Sequence, residues 1–141
     1  MLSSACQDTI RACVWLSTKP LDEYYHIQKI SDALDLPYHF LAKSLQKLVH
    51  SNILISRRGS NGGVKLAKSS ADITLISLIE AVDGSTFFDA CVLGIGDCED
   101  EKPCALHAQW EKWRTEMHEM YTAMRLSEIT DDVLQRKIKR L

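Results

Sequence analysis

The chain has 141 residues, of which 45 % are hydrophobic and 26 % charged, with a formal net charge of −2. This is room for one globular domain with an appended long helix, not for two full domains. No apolar run reaches the roughly 20 residues of a membrane-spanning helix, and the first seven residues lack the basic start of a signal peptide. A cytoplasmic protein with no membrane partner is therefore expected, its five cysteines serving as ligands or redox groups and not as structural disulfides.

The mean charge conceals two opposed blocks. Residues 36–71 contain no Asp or Glu but carry Lys43, Lys47, Arg57, Arg58, Lys65 and Lys68. Residues 72–101 contain no Lys or Arg but carry Asp72, Glu80, Asp83, Asp89, Asp97, Glu99, Asp100 and Glu101. The basic block is the electrostatic footprint of a nucleic-acid surface.

In chain order, Ser3 or Ser4 can cap a first helix with Cys6, Ile10, Cys13, Val14 and Leu16 on its apolar face, ending before Pro20. Asp8 and Arg11 face outward or toward a partner, and Cys6 and Cys13 read as core cysteines. Residues 24–27 are too short to classify. Ile27, Ile30, Ala33 and Leu34 fit a short second helix, broken at Asp35-Leu36. Pro37 opens a third, residues 37–50, whose buried stripe is Leu41, Leu45, Leu48 and Val49. The pair is a helix-turn-helix, and the exposed side of its second helix presents Tyr38, His39, Lys43, Ser44, Gln46, Lys47 and His50, groups that reach phosphates and base edges.

Residues 53–56 are apolar and β-branched, Gly59-Ser60-Asn61-Gly62-Gly63 is turn material, and Val64-Lys65-Leu66 starts a returning strand. A hairpin directly after a recognition helix is a wing. Its Arg57, Arg58, Asn61 and Lys65 suit the narrow minor groove. The glycine-rich tip lacks the Lys-Ser/Thr ending of a nucleotide-binding loop. Thr74 caps a fourth helix in which Leu75, Leu78, Ile79 and Val82 pack inward, and Gly84 stops it.

Cys91, Cys98, Cys104 and His107 follow with the spacing Cys-x6-Cys-x5-Cys-x2-His. Gly94 and Gly96 keep the first part out of regular structure. Pro103 suits the first position of a helix, which predicts Cys104 and His107 on one face of its first turn. Three thiolates and an imidazole are a tetrahedral zinc set, whereas gaps of six and five leave room for an iron–sulfur cluster; the spacing leaves both open. The helix from Pro103 is predicted to run to about residue 125, with Leu106, Trp110, Trp113, Met117, Met120 and Met124 spaced as the seam of a two-stranded coil, the contact of a homodimer. Thr130-Asp131-Asp132 reads as the capped start of a last short helix, and Arg136-Lys137-Ile138-Lys139-Arg140 as a basic tail.

This order of parts resembles the winged-helix iron–sulfur regulators of the IscR and NsrR type over nearly the whole chain. The specific elements are the wing Arg57-Arg58-Gly59-Ser60-Asn61-Gly62-Gly63-Val64-Lys65-Leu66, the Asp72-Ile73-Thr74-Leu75 lead into the fourth helix, and three cysteines followed by His107 and a long helix. The resemblance implies that Cys91, Cys98 and Cys104 ligate an iron–sulfur cluster. His107 matches the fourth ligand of the type holding a 2Fe-2S cluster, and is favoured. Asp8 matches an aspartate that the type holding a 4Fe-4S cluster supplies from the partner subunit. Six residues, where the family usually has five, separate Cys91 from Cys98.

The reading that follows is a mainly α winged helix-turn-helix with a small β-hairpin. Residues 1–84 form the DNA-binding domain, 85–103 the cluster loop, and 104–141 the dimerisation helix and tail. Its function would be a homodimeric regulator of transcription, a repressor, that binds double-stranded DNA under control of a cluster sensing redox, iron or nitric oxide. The same fold with a structural zinc or bare thiols is the alternative. No nucleophile–base pair stands out, so neither an enzyme nor a small-molecule substrate is expected.

Overall fold

A computed structural model of the chain describes residues 2–95, 98 and 101–135. The basic tail 136–140 and, within the cysteine segment, Gly96, Asp97, Glu99 and Asp100 lie outside the described residues.

Helix α1 is Ser4–Ser17. Its cap is Ser3, whose Oγ accepts the Cys6 amide at 3.0 Å. Ser3 also donates through its amide (3.0 Å) and its hydroxyl to the carboxylate of Asp83, which sets an anion at the positive end of the helix. The buried face is Cys6, Thr9, Ala12, Cys13, Val14 and Leu16; Ile10 is only half-buried. Thr9 enters the core because its hydroxyl donates to Ala5 O at 2.7 Å, leaving no unpaired polar atom.

Helix α2, Ile27–Leu34, and helix α3, Tyr38–His50, form the helix-turn-helix. Ala33 is exposed, unlike Ile30 and Leu34. Asp35 takes the left-handed conformation (φ 53°) that ends α2. Pro37 is the residue before the first helical turn, with φ −63°. Strands β1, Leu54–Arg57, and β2, Gly63–Leu66, pair antiparallel with Leu54 opposite Leu66 and Arg57 opposite Gly63. Tyr25, in the stretch too short to classify from sequence, adds an antiparallel bridge to Val64 with two 2.9 Å hydrogen bonds. Gly63 (φ 125°) is required there, because a Cβ would fall 2.1 Å from Tyr25 O.

Helix α4, Leu75–Asp83, is capped by Thr74, whose Oγ1 accepts the Ser77 amide, and stops at Gly84. Its buried residues are Ile76, Leu78, Ile79 and Val82, with Leu75 half-buried. A single 3-10 turn, Ser85–Phe88, leads to the cysteine segment.

Helix α5 is His107–Ala123, four residues shorter at its start than Pro103 suggested. Proline permits a helix start without imposing one. Here the chain first makes a turn closed by the His107 amide on Cys104 O at 3.0 Å, so Cys104 precedes the helix. Helix α6, Leu126–Gln135, also begins elsewhere than expected. Met124–Leu126 is held extended against Ile73–Leu75 by Leu75 N to Met124 O and Leu126 N to Ile73 O, both 2.9 Å, and the Glu128 carboxylate accepts the Arg125 amide at 2.7 Å. Thr130 is consequently buried in mid-helix and not a cap, with its hydroxyl 2.6 Å from Ser17 Oγ.

The core is one cluster that runs from Cys6 and Cys13 through Leu45, Leu48, Val64, Leu78 and Ile79 to Leu126. Leu126 is fully buried, so α6 closes the same core that α1, α3 and α4 build.

Candidate functional site

The reading face of α3 is exposed at Tyr38, His39, Lys43, Gln46, Lys47 and His50. Ser44 does not belong to it. Its exposure is 7 %, because it stands three residues after Leu41 and four before Leu48, on the buried stripe. Lys47 leaves its backbone on that face but sends Nζ to Val82 O at 2.8 Å, where the carbonyl end of α4 attracts a cation. Lys47 thereby ties α3 to α4.

The wing is braced from α2's side. Arg57 donates to Asn61 O across the tip at 2.5 Å and lies 4.2 Å over the Tyr24 ring, which Lys65 approaches from 5.0 Å. His26 Nε2 donates to Ser60 O at 2.7 Å. Arg58, Asn61 and Arg57 are exposed and Lys65 is half-buried. Among the described residues Arg58 makes no hydrogen bond, ion pair or ring contact, so of the two wing arginines it is the one at liberty to reach outward. A groove of about 400 Å3 between α3 and the wing is lined by Tyr38, Gln46, His26, Arg57 and Arg58. Tyr24 and His26 belong to no helical or strand pattern; the signal that marks them is an aromatic run, Tyr-Tyr-His, directly before α2.

In the segment after α4, the four candidate metal donors fall into two pairs. Cys98 Sγ lies 3.3 Å from His107 Nδ1, with His107 buried. Cys91 takes hydrogen bonds from the amides of Leu93 and Ile95, then Gly94, and meets the Cys104 side chain; together these hold its thiol below the ordinary value against the opposing effect of burial. Among the described residues no three of these donors converge on one metal ion. Asp8, the alternative fourth ligand, is half-buried on α1 and paired with Arg11 at 3.3 Å.

Helix α5 is fixed just before Cys91. Trp110 Nε1 donates to Ala90 O at 3.0 Å, Arg114 to Asp89 O at 3.3 Å, and Phe88 packs edge-on against His118. A cleft of about 320 Å3 remains between Cys91, Asp83, Trp110 and Met117. The six seam residues divide in consequence. Trp110, Met117 and Met124 lean on their own domain, while Leu106, Trp113 and Met120, each seven residues from the next, are 48 %, 54 % and 50 % exposed. Among the described residues no helix is long and apolar enough to cross a membrane.

Comparison with known proteins agrees with this architecture. The chain is 28 % identical over 122 residues, 82 % of its length and 72 % of the relative's, to the HTH-type transcriptional regulator IscR of Vibrio vulnificus. Its fold is shared by the global cysteine regulator CymR of B. subtilis (TM-score 0.77, 18 % identity, 93 % of this chain and 96 % of that one). It is shared also by IscR of T. potens (TM-score 0.72, 21 % identity, 94 % and 88 %). The model of the Rrf2 family, iron-dependent transcriptional regulators, matches residues 2–132. With a helix-turn-helix, a braced basic wing and this match across nearly its whole length, the chain belongs to the Rrf2 family of transcriptional regulators and is not an enzyme.

Proposed function

We propose that the chain is a homodimeric repressor whose affinity for double-stranded DNA is set by an iron–sulfur cluster held by Cys91, Cys98 and Cys104, with His107 as fourth ligand. The observation that carries the cluster is the pairing of donors, Cys91 with Cys104 and Cys98 with His107. One zinc ion asks four donors to meet at one point, whereas a 2Fe-2S cluster asks for two at each of two irons. A 4Fe-4S cluster completed by Asp8 of a second copy is the variant. When bound, the group would supply a centre sensitive to redox state, iron supply or nitric oxide.

The chain's own residues supply the route from that centre to DNA. The cysteine segment follows α4 after a single 3-10 turn, and the last turn of α4 carries the carbonyl that receives Lys47 of α3 and the carboxylate that receives Ser3 of α1. A shift of the segment is thus felt by the reading helix, which enters the major groove with His39 and Lys43 while Arg58 and Asn61 meet the minor groove. The exposed stripe Leu106, Trp113 and Met120 is covered by the same stripe of a second copy, and a two-fold pair reads two half-sites.

An anaerobic preparation with iron and sulfide counts, followed by a DNA shift assay before and after cluster removal, tests this. Visible absorption lost in Cys98→Ala, with DNA affinity changing on removal, is the expected result. A colourless protein with one zinc per chain overturns the cluster. The Cys91–Cys104 contact also favours a second reading, a regulator that responds through bare thiols; a metal-free protein whose DNA binding changes on mild oxidation would establish it.

A further inference from the structure

Phe40 is 74 % exposed, although it lies in the first turn of α3 between His39 and Lys43. Tyr38 and Gln46 line the groove toward the wing, and Phe40, about 200° around the helix from Tyr38, stands on the opposite side of the leading end. The wing therefore leaves it uncovered. A large aromatic side chain held in water at the front of a basic surface suits a partner that is anionic as a whole and apolar at one point, since residues 36–71 contain six cations and no acid. The major-groove edge of DNA has that form. Its phosphates are anionic, and its one apolar feature is the C5 methyl group of thymine. The first residues of a recognition helix are those that meet base edges.

We propose that Phe40 is a specificity-determining residue that packs against thymine methyl groups in the major groove. This rests on the reading of α3 as the groove-entering helix. It assigns to Phe40 the discrimination of thymine from the other bases, while Lys43 attracts phosphate without regard to sequence.

The test uses the full chain prepared anaerobically, as isolated and after removal of any iron. Duplexes are enriched from a random pool, and each thymine of the enriched site is replaced singly by deoxyuracil, which removes the methyl group and leaves every hydrogen-bonding group in place. At one or more thymines per half-site the wild type should lose about fourfold in affinity, the value of one buried methyl. Phe40→Ala should bind thymine and deoxyuracil duplexes equally, with its salt slope unchanged, and Phe40→Leu should retain part of the discrimination. Because the side chain is exposed, neither variant threatens folding. Enriched duplexes indifferent to deoxyuracil, or discrimination undiminished in Phe40→Ala, overturn the assignment of Phe40 alone. A protein that enriches no duplex overturns this inference together with the DNA-reading role of α3.

Discussion

Three lysines and arginines of similar exposure have different tasks, and the salt dependence of DNA binding separates them. Lys43 and Arg58 project from the reading helix and the wing, so alanine at either should weaken binding to all sequences and flatten the slope of log affinity against log salt by about one unit. Lys47→Ala should leave that slope nearly unchanged and lower stability by about 0.3–1 kcal/mol, because its charge is committed to Val82 O at the end of α4. The two core cysteines give a second prediction at this scale. Burial, then the neighbouring Asp83 carboxylate, pushes the Cys6 thiol up to about 12; burial, then Cys6, pushes Cys13 up to about 12. From the ordinary value of 9.0 upward the unfolded chain loses a proton that the folded chain keeps at Cys13. Stability is therefore complete below pH 9.0 and falls as pH rises toward 12, with a limiting slope of about 1.4 kcal/mol per pH unit for that thiol. Urea unfolding between pH 8 and 11 should show the decline, and Cys13→Ala should remove the part of it that this thiol contributes, leaving the part due to Cys6. At pH 8 an alkylating reagent should leave both thiols unmodified until the protein is unfolded.

Among the elements, the wing depends on a contact outside the hairpin. Gly63 pairs with Arg57 and presses against Tyr25 O, so Gly63→Ala should detach residue 25 from β2 and destabilise the protein by about 1–3 kcal/mol. DNA affinity should fall further than the loss of folded protein explains, as measured by shift assay at matched active concentration. The hairpin itself is legible in the sequence, as are α1 to α4, because their signals are local: Ser3 and Thr74 cap α1 and α4, Asp35 and Gly84 stop α2 and α4, and the turn glycines lie between β-branched residues. The misplaced boundaries have a common cause. Thr130-Asp131-Asp132 has the composition of a cap, but the break that counts occurs at Met124–Leu126, where the partner of the chain is Ile73–Leu75, some fifty residues away. No window of adjacent residues contains that pairing. Cys104 likewise stands outside α5, because the turn closed by His107 on Cys104 O precedes the helix. Ser44 departs from the expected exposed face because its hydroxyl counts as polar in a pattern while its position between Leu41 and Leu48 places it inside.

For the molecule as a whole, the exposed stripe on α5 predicts an association that sedimentation can measure. Trp113→Glu puts a charge at the centre of Leu106, Trp113 and Met120 and should shift a dimer to a monomer that retains its helical content, since the side chain lies outside its own domain's core. Binding to a two-half-site duplex should fall to that of a single half-site. The sequence supplies candidates for the site, Cys91 to His107 and Lys43 to Lys65, from which burial removes Ser44 and to which packing adds Tyr24 and His26, but it does not supply their arrangement. The two-by-two pairing of the candidate metal donors and the parking of Arg57 on Tyr24 are products of how separate segments are packed.

Helix α5 is anchored toward both ends, by Trp110 and Arg114 on the carbonyls of Ala90 and Asp89 in its first half and by the short β-bridge of Arg125 to Thr74 after it. A rod clamped in this manner has little freedom to slide or swivel against its own DNA reader. In the proposed dimer, the distance between the two recognition helices would then be inherited from the subunit contact and behave as a fixed gauge. Lengthening the operator's centre by a single base pair, which turns one half-site by about a tenth of a helical revolution, should be tolerated poorly, as a key cut for one lock spacing fits no other.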